Sequence, residues 1–282
     1  MKLVRFGGGR IGVADTDGVR DVTEAAGGDA HEWPPVSMVR TIASFERRRA
    51  AIEAAAKQAI PIALNEADVE APVVWPNKLL AYPVNYVAHG EEMRSSNRAD
   101  RNGFFLKAPT SISGPRDPIV LPLARYPGRE FHHECELAVV IGKRGRHVRR
   151  EDALDYVFGY SCLVDVTLRG DGERVMRKSF DTFCPLGPWI VTADEVGDPS
   201  VLRLQLWVNG ELRQDANTRD LIVDVPGMIV DASAVATLEP GDVIATGTPA
   251  GVGPIRPGDQ VTIEIERVGR MTLDVVEEVR SV

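Results

Sequence analysis

Phe131-His132-His133-Glu134-Cys135-Glu136-Leu137-Ala138-Val139-Val140-Ile141-Gly142 is the stretch whose reading decides the fold. Leu137 to Ile141 is a short, β-branched apolar run closed by a glycine, the pattern of a buried strand. Side chains alternate across a strand, so Glu134 and Glu136 leave the backbone on one face, about 7 Å apart. Two like charges that close need a counter-charge. Carboxylate oxygens prefer a hard divalent cation, Mg²⁺ or Mn²⁺, whereas a softer metal would ask for thiolates or several imidazoles. The competing reading is a solvated face of an edge strand.

Upstream, Leu79 to Tyr82 reads as a strand that leads into Asn85-Tyr86-Val87-Ala88-His89-Gly90-Glu91-Glu92. With Asn85 capping a helical turn, His89 and Glu92 share a face at i, i+3, and a carboxylate there holds the imidazole in one tautomer. A general base needs that arrangement, although surface histidines beside acids are also frequent. Met93 to Arg101 holds three arginines among small polar residues without apolar periodicity. It reads as a mobile loop, either a lid over an anionic substrate or a plain solvent loop. Phe104-Phe105-Leu106 resumes as a strand with Lys107 at its end.

Downstream, Tyr160 to Val166 is a second β-type run whose only acid is Asp165. A lone charge in such a run is expensive unless paired or bound to metal, which makes Asp165 a candidate third ligand. Arg177 to Pro188 lacks periodicity and ends in prolines around Gly187, so it reads as a loop carrying Lys178. Asn209-Gly210 between two strand patterns marks a hairpin. Met228 to Ala236 reads as a helix. Gly241 to Gly253 is a strand running into a Gly/Thr-rich loop that offers backbone N–H groups to anions, without the lysine of a nucleotide P-loop.

At the N-terminal end, residues 2–6, 10–14 and 18–23 are short strand candidates separated by glycine-rich punctuation. A helical stripe follows through Met38, Ile42, Phe45, Ile52, Ala56 and Ala59, with Ser37 as its N-cap and Pro61 at its end. The stretch to Pro76 suits a connection. The expected organisation is therefore a small N-terminal α/β domain over 1–72 and a catalytic domain over 73–282.

A net charge of −8 over 282 residues argues against nucleic acid and against an anionic membrane surface as partners. Cys135, Cys162 and Cys184 are an odd number, widely spaced, and fit reduced thiols in a cytoplasmic protein. The first residues carry no apolar stretch of the kind a signal peptide or membrane span requires, so the expectation is a soluble chain.

Five motifs follow one another along the chain: Asn85-Tyr86-x-x-His89-x-x-Glu92; His133-Glu134-x-Glu136 with its apolar run; Asp165-Val166-Thr167-x-Arg169; Lys178-Ser179-Phe180-Asp181-Thr182-Phe183-Cys184-Pro185-Leu186-Gly187-Pro188; and Thr246-Gly247-Thr248-Pro249-x-Gly251-Val252-Gly253. Together they make the chain resemble the fumarylacetoacetate hydrolase family over roughly residues 76–276. That resemblance implies an α+β, β-rich protein with a mixed β-roll catalytic domain, a small N-terminal domain and usually a homodimer. It implies Mg²⁺ or Mn²⁺ at Glu134, Glu136 and Asp165. By the same resemblance His89 and Glu92 activate a water, Lys178 stabilises an oxyanion, and Thr248 helps hold the substrate carboxylate. Lys107 and Arg169 are assigned to substrate binding with it. Members cleave, decarboxylate or isomerise small 2-oxo acids.

The expected function is metal-dependent hydrolysis of a C–C bond in an acylpyruvate-like or 1,3-diketo acid. The alternative is a decarboxylase or isomerase of 2-oxo (2-hydroxymuconate-type) diacids in aromatic catabolism. The chain departs from the family pattern at Leu168 and Gly170 and at Ala81-Tyr82-Pro83-Val84. Neither departure touches a proposed ligand, and both leave the acyl group open.

Overall fold

The strand Cys135–Ile141 is buried at every position and lies inside a mixed sheet, as its continuous apolar run requires. In the computed structural model, which describes residues 1–94 and 97–279, the strands of that sheet run in the order Val19–Asp21, Arg10–Ala14, Lys2–Phe6, Cys184–Thr192, Val157–Val164, Cys135–Ile141, Val243–Ala245, Leu79–Ala81 and Phe105–Lys107. Leu137, Val139 and Ile141 face one apolar cluster, which fills the space against a second sheet. Ala138 and Val140 face another, shared with the helix Ser37–Gln58. The strict alternation predicted for this strand is thus used on both faces.

The second sheet runs Glu211–Asn217, Arg203–Val208, Gln260–Ile265, Gly269–Glu277 and Ile119–Leu121. Its first hairpin turns at Asn209 and Gly210, both at positive φ, as an Asn-Gly turn requires. A third, three-stranded sheet places Phe131–His133 between Thr167–Leu168 and Gly253–Ile255. The fold is the β-rich α+β arrangement expected. Among the described residues no helix is long and apolar enough to cross a membrane.

Several local expectations are corrected. Cys184–Thr192 is one strand, not the tail of a loop. Its prolines do not end it: Cys184 and Pro185 pair in parallel with Ile112–Ser113, and Leu186 and Gly187 pair with Leu163 and Cys162. Ser37 is the first helical residue rather than the N-cap, which is Val36. Its hydroxyl instead accepts from Asp29 N and donates to Asp29 O, both at 2.8 Å, pinning the preceding loop. Asn85 does not cap the helix Val87–Glu92, whose N-cap is Tyr86. The segment 93–101 ends in a short helix, Ala99–Asn102, and its Ser95 and Ser96 lie outside the described residues.

Strands from both sides of the boundary expected near residue 73 share one sheet. Lys2 and Leu3 pair with Val191 and Ile190, and Leu3, Ile11, Met38, Ile42 and Phe45 sit in the same apolar cluster as Ala138, Val140 and Phe158.

Candidate active site

Strand register brings the acids together. Cys135 pairs with Val164 in antiparallel register, so Asp165, one residue past the end of its strand rather than inside it, arrives opposite Glu134. The Asp165 N–H donates to the Glu134 carbonyl at 2.9 Å. Glu134, Glu136 and Asp165 are all buried, and one carboxylate oxygen from each lies within 4.8 Å of the others. An all-carboxylate donor set of this compactness suits a hard divalent cation such as Mg²⁺ or Mn²⁺.

The protein surrounds these acids with its own cations. Lys178 Nζ donates to Glu134 Oε2 at 2.7 Å, Asp165 Oδ2 at 2.5 Å and the Thr167 hydroxyl at 2.6 Å. Arg169 donates to Glu134 Oε1 at 2.9 Å. Lys107 Nζ, fully buried, donates to Asp165 Oδ1 at 2.5 Å and to the Phe183 carbonyl at 2.9 Å. Burial alone would raise the Glu134 carboxyl, but Lys178, Arg169 and His89 hold it well below the usual carboxylate range. Glu136 goes the other way. Burial and the charges of Asp165 and Glu134 raise it well above that range, against Lys178 and the Gly247 N–H. A site with one carboxyl pushed up by its neighbours has a deficit of positive charge, which a divalent cation relieves.

The Gly247 N–H reaches Glu136 Oε2 at 2.9 Å because this residue sits at φ 90°, where a Cβ would lie 2.8 Å from the Tyr82 carbonyl. Asn85 clamps the same loop. Its amide donates to the Val223 and Thr246 carbonyls and its oxygen accepts from Val223 N. The short helix Val87–Glu92 that starts just after Asn85 carries His89, whose Nδ1 lies 3.2 Å from Glu92 Oε2. The other Glu92 oxygen accepts from Gly251 N at 3.0 Å, so both oxygens are committed and the imidazole is oriented with its Nδ1–H on the carboxylate.

A cavity of about 310 Å³ is walled by His89, Glu134, Glu136, Asp165, Arg169, Lys178 and Thr248, seven of the nine residues singled out in the sequence. Glu92 stands behind His89. Lys107 stands behind Asp165, to which it donates, and is not among the residues that wall the cavity. Tyr82, Phe105 and Met93 supply apolar wall, and Thr167, Arg174 and Arg177 were missed. The recurrence of arginine at 169, 174 and 177 between Asp165 and Lys178 was the available signal. Gln214 had none: its amide donates to Thr248 Oγ1 at 2.7 Å and to the Pro249 carbonyl, while its oxygen accepts from Cys135 N and faces His133 Nδ1.

Comparison with known proteins places this geometry in context. Residues 78–276 match the fumarylacetoacetate (FAA) hydrolase C-terminal family. The chain is 43% identical to a maleylpyruvate hydrolase of Aquipseudomonas alcaligenes, over 97% of this chain and 98% of that protein. It is 55% identical, with a TM-score of 0.91, to the crystal structure of a maleylpyruvate hydrolase from Sphingobium sp. SYK-6 in complex with manganese(II) and pyruvate, over 99% and 100% of the two chains. A 5-carboxymethyl-2-hydroxymuconate delta-isomerase from Mycobacterium smegmatis is 33% identical, with a TM-score of 0.75, over 99% and 100%.

Proposed function

The chain belongs to the fumarylacetoacetate hydrolase family, and from that premise we propose that it is a metal-dependent hydrolase that cleaves a C–C bond in an acylpyruvate-like acid. The observation that carries this reading is the oriented His89–Glu92 pair on the wall of a cavity that also holds three clustered carboxylates. A purely structural metal site has no use for a base. The relatives named as maleylpyruvate hydrolases support the same reaction class. The isomerase alternative draws support only from a more distant branch.

In this reading Glu134, Glu136 and Asp165 hold Mg²⁺ or Mn²⁺. When bound, the ion supplies Lewis acidity toward the oxygens of a 2-oxo acid. His89, with Nδ1 committed to Glu92, presents Nε2 to take a proton from a water in the cavity. Lys178 supplies positive charge for the oxyanion formed by attack at the distant carbonyl. Thr248, oriented by Gln214, and Arg169 hold the substrate carboxylate end. Lys107 positions Asp165. The enzyme is further read as a cytoplasmic homodimer. Its three free, buried cysteines support the compartment, and light scattering reads the oligomer.

The test is an assay of purified protein against acylpyruvates with Mg²⁺, Mn²⁺ or excess chelator. Cleavage should need the metal, and His89→Ala should lower it by roughly 10²–10⁴-fold, the worth of a positioned general base, with metal affinity kept. A native protein that isomerises or decarboxylates an oxo diacid but cleaves no acylpyruvate would overturn the reading.

A further inference from the structure

We propose that Gln214 is a positioning residue that fixes the Thr248 hydroxyl as a hydrogen-bond donor into the cavity, with its proton aimed at the substrate carboxylate. This rests on the reading of Thr248 as a partner of that carboxylate and adds what sets the polarity of the contact. Gln214 is the one buried position of the strand Glu211–Asn217, and it pairs with the core residue Leu206. Strand packing alone would put an apolar side chain there. Thr248 is on the cavity wall and Gln214 is not, so Gln214 acts through Thr248.

Two backbone groups leave the Gln214 amide one orientation. The Cys135 N–H can only donate, and it lies 2.9 Å from one amide atom, which must therefore be the oxygen. The Pro249 carbonyl can only accept, and it lies 2.9 Å from the other, which must be the nitrogen. His133 Nδ1, 3.1 Å from the same oxygen, then donates to it as well. With one amide proton on Pro249, the second goes to Thr248 Oγ1 at 2.7 Å. A hydroxyl that accepts this bond keeps its own proton for a different acceptor, and among the described residues Thr248 has none. The side chain is buried and opens on the cavity. A carboxylate offers acceptors only, so a hydroxyl proton aimed at it attracts and a hydroxyl lone pair repels. The direction of the substrate contact is thus set at the peptide that joins Glu134 to Cys135 and passed through the Gln214 amide to Thr248.

The test is a double-mutant cycle on KM in an acylpyruvate assay with Mn²⁺, crossing Gln214→Met with Thr248→Val and with Thr248→Ser. Thr248→Val should raise KM about 10- to 100-fold, the worth of a hydrogen bond to a charged group, and leave kcat nearly unchanged, as loss of uniform binding does. Gln214→Met should raise KM about 3- to 10-fold, the cost of ordering a freed hydroxyl on binding. That rise should recur in Thr248→Ser, which keeps the hydroxyl, and shrink below about 2-fold in Thr248→Val. A rise that persists undiminished in Thr248→Val is a structural disturbance through Cys135 and overturns the proposal, as does an unchanged KM in Gln214→Met. An unchanged KM in Thr248→Val brings down the role of Thr248 and the proposal with it. Should Gln214→Met give no folded protein by circular dichroism, Gln214→Asn, one methylene too short to span Cys135 and Thr248, takes its place with the same expectations. If no acylpyruvate is cleaved, the hydrolase reading fails by itself, and the cycle is read on the Kd of pyruvate by calorimetry with Mn²⁺. The same non-additivity there upholds the positioning role, and additive effects overturn it.

Discussion

Lys178 commits all three ammonium protons, to Glu134, Asp165 and Thr167. Removing one partner from a buried ion pair leaves charge uncompensated and costs on the order of 3–5 kcal/mol. Lys178→Gln should therefore lower stability in metal-free buffer by about 3 kcal/mol, and Mn²⁺ should restore a larger share of stability in the variant than in the native protein. Urea unfolding with and without Mn²⁺ reads both quantities, and a variant as stable as the native chain without metal would remove Lys178 from this role. At this scale the sequence was informative where chemistry is local. Glu134, in the break just before the strand Cys135–Ile141, and Glu136, inside it, are two positions apart and meet in one cluster, and His89 and Glu92 meet because helices turn. The contact of Lys107 with Asp165, 58 positions away, was not legible, because no local pattern reports a contact formed by folding.

Among the elements, Cys184–Thr192 stands between Lys2–Phe6 and Val157–Val164. The residues before 73 supply one of its two flanking strands. They also supply Leu3, Ile11, Met38, Ile42 and Phe45 to a cluster with Ala138 and Val140. Burying five such side chains contributes roughly 10 kcal/mol at about 1.5–3 kcal/mol each, comparable with the whole stability of a domain. A chain cut to residues 73–282 should not fold to a soluble species, as circular dichroism and gel filtration would register. A soluble fragment with native-like strand content would show the N-terminal part to be separable. The individual strands of this end were legible from glycine punctuation and alternation. Their docking was not, since pairing of Lys2 with Val191 is a non-local choice. Cys184–Pro188 was hidden for another reason. Prolines usually end strands, but here Pro185 pairs with Ser113 of the short parallel strand, and Pro188 falls at the irregularity in the pairing with Val157–Val164.

For the molecule as a whole, His133 sets part of the response to acid. It is wholly buried, its Nδ1–H donates to Gln214 Oε1, and burial lowers its pKa from 6.5 to about 4. The unfolded chain binds the proton first as pH falls, so stability should decline between pH 6.5 and about 4 and not change further from this residue below that. The full loss is about 3 kcal/mol at 1.36 kcal/mol per pKa unit. Denaturant titrations across that range should show the slope, and His133→Asn should flatten it; an unchanged slope would assign the acid sensitivity elsewhere.

The two lysines behind the carboxylates have one more consequence, in terms of supply rather than chemistry. Because Lys107 and Lys178 already balance much of the charge of Glu134, Glu136 and Asp165, the ion is not a staple holding the chain together. A small native gain from Mn²⁺ in the unfolding experiment above is what this requires. A cell short of metal would then keep the polypeptide as an idle, intact stock, and replenishment would return the activity without new synthesis.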